Sequence, residues 1–106
     1  MRVIVEVSFV PLGVGLSLSP YVAECLRIIK ASGLKHELHS MGTNLEGNWE
    51  EVMALVKACQ DRLFEMGAPR VTTSIKVSAR ADREPSMEDK VAHVRRLLED
   101  GAPGKP

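Results

Sequence analysis

Residues 2–10 alternate with a period of two. Val3, Val5, Val7 and Phe9 fall on one side, and Arg2, Ile4, Glu6, Ser8 and Val10 on the other. Only an extended chain sends every second side chain to the same face, so this stretch predicts a strand. Its second side mixes a charge and a hydroxyl with Ile4 and Val10, which predicts a face that is partly covered or in an interface rather than in a dry core. The alternation returns at 70–78, with Val71, Thr73, Ile75 and Val77 against Thr72, Ser74, Lys76 and Ser78. Two helical stripes lie between these strands, and that order leaves few architectures open.

Pro11-Leu12-Gly13-Val14-Gly15-Leu16 reads as a turn-rich connection. Ser19-Pro20 then predicts an N-cap and first helical position. Val22, Cys25, Leu26 and Ile29 repeat at helical spacing up to Gly33, placing a helix over roughly 19–32. Leu34 to Ser40 alternates, with Leu34, His36 and Leu38 on one side. Met41-Gly42 can turn the chain, and Thr43 to Glu46 can return as a second short strand. Asn48 with Glu51 has capping-box spacing. The stripe Val52, Leu55, Val56, Cys59, Leu63, Met66 follows, closed by Gly67 and Pro69. Ser86 with Asp89 repeats the capping signature ahead of Met87, Val91, Val94 and Leu98, and Gly101 ends that helix.

The order is strand, helix, strand, strand, helix, strand, then an extra helix. It predicts an α+β, ferredoxin-like βαββαβ sandwich: a four-stranded antiparallel sheet with two helices on one face, plus a C-terminal helix. Residues 1–101 are expected to form one domain and 102–106 a frayed tail. The sheet face without helices needs cover from the third helix or from another subunit, so a homo-oligomer, dimer or tetramer, is expected.

A chain of 106 residues is one domain with room for a core. Its formal net charge is zero and its basic residues are interleaved with acidic ones, which argues against nucleic acid and anionic lipid as partners. Glu6 interrupts the N-terminal apolar run too early for a signal peptide, and no stretch approaches the roughly 18 apolar residues of a membrane span. Cys25 and Cys59 sit on apolar helical faces, as buried reduced thiols of a cytoplasmic protein would.

Few motifs suggest chemistry. Gly13-Val14-Gly15 lacks the third glycine of a dinucleotide fingerprint and the Gly-Lys-Ser/Thr ending of a P-loop. It fits a flexible loop at a pocket edge, and the lack of a phosphate motif argues mildly against phosphate esters as ligands. His36 and His39 point to opposite faces of a strand and cannot chelate one metal there. No serine stands in a nucleophile elbow, and no acid–base pair is evident, so neither catalysis nor a cofactor is expected. The densest polar run is Met41 to Met53, where Thr43, Asn44 and Glu46 precede Trp49 at a helix start. As a ligand wall it offers a hydroxyl, an amide, a carboxylate and an aromatic face. As ordinary structure it is a strand, a turn and a cap.

Four blocks carry a family resemblance: Pro11-Leu12-Gly13 with Gly15 and Ser17; Gly33-Leu34 with Glu37-Leu38; Met41-Gly42-Thr43 with Glu46-Gly47, Trp49 and Glu51-Val52-Met53; and Gly67, Arg70-Val71 with Ile75-Lys76. Met87, Lys90 and Val91 extend them. Together they resemble the small ferredoxin-like thiamine-binding proteins related to YkoF, over nearly the whole chain. The resemblance implies a carrier or sensor of thiamine or its hydroxymethylpyrimidine part, not an enzyme, assembled through its sheets. It implies ligand contacts from Ser17, Thr43 and Glu46, with Asn44 and Trp49 as secondary contacts and the loop of Pro11 and Gly13 nearby. Glu46 would accept from the pyrimidine amine. The family often has Tyr where His36 stands, Ile at Leu45 and His at Gln60, and the first difference bears on ring stacking. The alternative is an oligomeric structural or regulatory protein that works through protein contacts.

Overall fold

Seven elements form where the periodicities change: β1 (Arg2–Leu12), α1 (Ser19–Ser32), β2 (Lys35–His39), β3 (Gly42–Asn48), α2 (Trp49–Glu65), β4 (Arg70–Ala79) and α3 (Met87–Glu99). The structure is a computed structural model, and it describes residues 1–101. The expected tail, 102–106, lies outside the described residues. The sheet has the order β2-β3-β1-β4, with every neighbouring pair antiparallel, so the α+β ferredoxin-like arrangement is present.

The register sorts the sheet into two faces. Val5 pairs with Leu45 on one side and Val77 on the other, and Val7 pairs with Thr43 and Ile75; all of these point toward the helices. Ile4 pairs with Glu46 and Ser78, and Glu6 with Asn44 and Lys76, on the open face. Val3, Val5, Val7 and Leu45 pack with Cys25 and Ile29 of α1 and with Val52, Leu55, Val56, Cys59 and Leu63 of α2. Each large side chain buried this way contributes about 1.5–3 kcal/mol. The two thiols stay free and buried, as their apolar spacing predicted. The neighbouring Cys25 thiol, with burial, pushes the Cys59 thiol up and keeps it protonated.

Several local expectations change. β1 runs on to Leu12, so Pro11 and Leu12 belong to the strand and not to the turn. Pro11 pairs with Val71, while β1 meets β3 only as far as Val7. The missing amide of Pro11 therefore interrupts no second ladder. Leu18, not Ser19, caps α1, and it makes no side-chain capping bond. Its carbonyl instead accepts from the Tyr21 and Val22 amides. Asn48 does cap α2 by position, but its side-chain amide donates to the Glu51 carboxylate at 3.0 Å instead of engaging backbone amides. The Trp49 amide donates to the Met1 carbonyl at 2.8 Å. The ends behave as predicted. Gly33 takes a left-handed conformation after α1. α2 closes with Gly67 N–H to Phe64 O and Ala68 N–H to Leu63 O, the paired bonds of a Schellman turn. Ser86 accepts from the Asp89 amide at the start of α3.

Beyond Met87, the apolar side of α3 is open to solvent: Val91 is 49%, Val94 55% and Leu98 75% exposed. The helix is anchored at its first turn and does not blanket the open sheet face. No helix among the described residues is long and apolar enough to cross a membrane.

Candidate functional site

The β2–β3 hairpin turns through Ser40-Met41, with His39 opposite Gly42. Gly42 allows the tight approach of β3 to β1, because a Cβ there would lie 2.8 Å from the Val7 carbonyl oxygen. Thr43 follows and points toward the helix side, 4% exposed. Between this end of the hairpin and the flank of α1 lies a cleft of about 330 Å³ whose wall includes Phe9, Val22, Leu26, Leu38, Ser40 and Thr43. It continues along α1 into a wider trough of about 810 Å³ past Leu16, Leu18, Ser19, Arg27 and Lys30; Val22, Leu26, Leu38 and Ser40 border both parts. Among the described residues, no carboxylate borders either part. The combination of apolar walls and a few polar groups suits a small organic molecule. Two other hollows flank α3, and both are bordered mainly by charged side chains.

Glu46 lies on the opposite face. One carboxylate oxygen accepts from the Met87 amide at 2.7 Å, and the other from Arg2 at 2.8 Å, with Lys35 at 3.4 Å. Lys35 also pairs with Glu88, and Arg2 lies 3.7 Å from Glu84. Burial alone would push the Glu46 carboxyl up; the Met87 amide, Arg2 and Lys35 outweigh it and hold the group below the ordinary glutamate range. A nearly buried carboxylate with partners on both oxygens is a latch for the start of α3.

A single pocket shared by Thr43, Asn44, Glu46 and Trp49 is therefore not formed within one chain. The reason is strand geometry. Thr43 and Glu46 are an odd number of residues apart and fall on opposite faces, and six residues of extended chain put Trp49 roughly 20 Å from Thr43. Trp49 opens α2 and is 43% exposed. Asn44 sits on the open face, where its side-chain oxygen is 3.2 Å from His39 Nε2, while Glu6 lies 3.5 Å from the same nitrogen. His36 is on the helix side opposite Leu45, with Nδ1 3.0 Å from the Leu34 carbonyl. Pro11 is fully buried in the sheet. Gly13 has φ +82°, and a Cβ there would meet Pro69 at 2.9 Å, so the loop packs closely on the β4 side. Ser17 is exposed in the loop whose neighbours Leu16 and Leu18 border the trough. Of the eight residues expected at a site, the cleft receives Thr43.

The sequence did not single out Val22, Leu26, Leu38 and Ser40 as cleft residues. Val22 and Leu26 keep the spacing of a core stripe, and periodicity cannot tell a side chain that fills the core from one that borders a cleft beside it. Gln60 also differs from the family pattern; its side-chain oxygen accepts from the Thr73 hydroxyl at 2.7 Å and ties α2 to β4. Among the described residues, no group of three or more His, Cys, Asp or Glu side chains is placed to hold a metal.

Comparison with known proteins supplies the remaining finding. The model of a family described as thiamine-binding protein matches residues 5–95. A UPF0045 protein of Synechocystis is 48% identical over 100 residues, covering 94% of this chain and 83% of its own length. The crystal structure of a hypothetical protein from Methanocaldococcus jannaschii superposes with a TM-score of 0.83 at 35% identity, over 91% of this chain and 98% of that one. A Thermotoga maritima structure, described as a candidate for thiamine biosynthesis or salvage, gives a TM-score of 0.78 at 26% identity, over 90% of this chain and 100% of that one.

Proposed function

The chain belongs to the thiamine-binding protein family, and from that membership we propose that it binds thiamine or its hydroxymethylpyrimidine portion in the cleft between α1 and the β2–β3 hairpin. The observation that carries this reading is Thr43: of the residues expected at the site, it is the one whose side chain borders a cleft of small-molecule size. An aminopyrimidine is flat, with amine donors and ring-nitrogen acceptors. The walls of Val22, Leu26, Leu38 and Phe9 suit its faces, and the Thr43 and Ser40 hydroxyls suit its edge. In this reading Glu46 acts on the fold, holding α3, and not on the ligand.

A carrier or sensor is the form of activity that fits: His39 and Ser40 both border the cleft, but the imidazole nitrogens meet Asn44, Glu6 and the Met41 amide, and among the described residues no hydroxyl is hydrogen-bonded to them. Two buried free thiols suit a reducing, cytoplasmic setting. The exposed apolar side of α3 favours self-association, and it is also what supports the second reading, a regulatory protein acting through contacts. Light scattering on the purified chain is expected to give a dimer or tetramer; a monomer at all concentrations would remove the oligomer.

Calorimetric titration tests the binding reading. Hydroxymethylpyrimidine or thiamine is expected to bind saturably, and Thr43→Val, which keeps the shape and removes the hydroxyl, is expected to weaken binding by about 1 kcal/mol, roughly five-fold. Unchanged affinity in Thr43→Val would remove the cleft as the site. Absence of any saturable heat would remove the ligand.

A further inference from the structure

The cleft beside Thr43 is only half of the depression along α1. The outer trough runs from Ser19 to Lys30, twelve residues of helix spanning roughly 16 Å, which is long enough for a ring and an extended side arm. Its charged groups are Arg27 and Lys30, one turn apart on the same flank, with no carboxylate among the bordering residues. Arg27 is paired with Glu24, which also meets Arg62 at 3.2 Å. Lys30 has no ion-pair partner among the described residues. Ser19, free of the capping role its position suggested, adds a hydroxyl to the same wall.

From this charge pattern we infer that the outer trough is an anion subsite and that the ligand of this cleft is a phosphate monoester of the pyrimidine alcohol or of thiamine. The inference rests on the ligand reading above and deepens it. A thiazolium ring carries a fixed positive charge, and a trough whose free charge is also positive disfavours it. A phosphate on the side arm reverses the sign of that interaction and gives Lys30 and Arg27 an acceptor. The missing Gly-rich phosphate loop is no obstacle, because long cationic side chains can provide this contact without one.

The test is a set of titrations at low salt with hydroxymethylpyrimidine, its phosphate monoester, thiamine and thiamine monophosphate, each against the wild type and Lys30→Gln. Each ester is expected to bind about five-fold tighter than its parent alcohol, the scale of a solvent-exposed ion pair, and added salt is expected to erode the difference. Lys30→Gln is expected to bring the ester-to-alcohol ratio close to one. If the alcohols bind through Thr43 but the esters bind no tighter, or if Lys30→Gln keeps the preference, the anion subsite is wrong and the ligand reading stands. If none of the four binds, both fall together.

Discussion

Replacing Glu46 with alanine is expected to lower stability by about 2–3 kcal/mol and the melting temperature by roughly 10 °C. The substitution leaves the Met87 amide without its acceptor and two cations facing each other across the vacated position. The loss stays below that of a wholly buried pair because Arg2 and Lys35 are 34% and 40% exposed and keep part of their hydration. The damage should be greatest at α3. Its first four residues meet the domain through Met87, Glu88 and Lys90 and its apolar side is open further on, so hydrogen exchange is expected to accelerate most throughout α3, and in β1 and α2 only by the loss of global stability. Uniform acceleration across the sheet would contradict the latch. The same group sets a pH dependence. Its carboxyl titrates below the unfolded value, so the stabilisation is fully present above about pH 4.5 and is lost as pH falls through the lowered native value. Glu46→Gln, which has no charge to lose, should show a flatter acid limb in a pH series of denaturant melts.

Leu45→Ala, one residue earlier, is expected to cost about 3–4 kcal/mol by a different route. Leu45 is fully buried on the helix side between Val5 and His36, in the cluster that joins the sheet to both helices. Truncation removes its transfer energy and leaves a cavity that rigid neighbouring strands close only in part. Here exchange should accelerate everywhere at once, because the core is shared. Two adjacent residues would thus give two distinct exchange patterns, which follows directly from the two-residue period of β3. A loss under 1 kcal/mol on chemical denaturation would contradict the placement of Leu45 at the centre of the core.

That period also explains what was legible in the sequence. The alternations at 2–10 and 70–78 and the stripe from Val52 to Leu63 are long, and the architecture followed from them. The three glycine stops, Gly33, Gly67 and Gly101, held for the same reason, since a left-handed conformation after a helix is a local requirement. Caps were less legible: Leu18 and not Ser19 caps α1, and Asn48 caps α2 by position while its side chain pairs with Glu51. Nearness in sequence was the weakest guide to which side chains share a surface. Thr43, Asn44, Glu46 and Trp49 form one polar run, yet β3 distributes them over two faces and two ends of the sheet. The cleft draws Thr43 from β3, Leu38 from β2, and Val22 and Leu26 from α1. Only tertiary packing joins those elements. Likewise, nothing local marks Glu46 as a latch, because its partners come from β1, β2 and the start of α3.

The most direct test of the central claim is a map of ligand-induced amide chemical-shift changes during titration with hydroxymethylpyrimidine. The cleft reading predicts saturable changes at Val22, Leu26, Leu38, Ser40 and Thr43, with Glu46, Met87 and Trp49 little affected. Changes centred on Glu46 and Trp49 would place the ligand on the open face and contradict the account, and an unchanged spectrum at saturating ligand would contradict binding altogether.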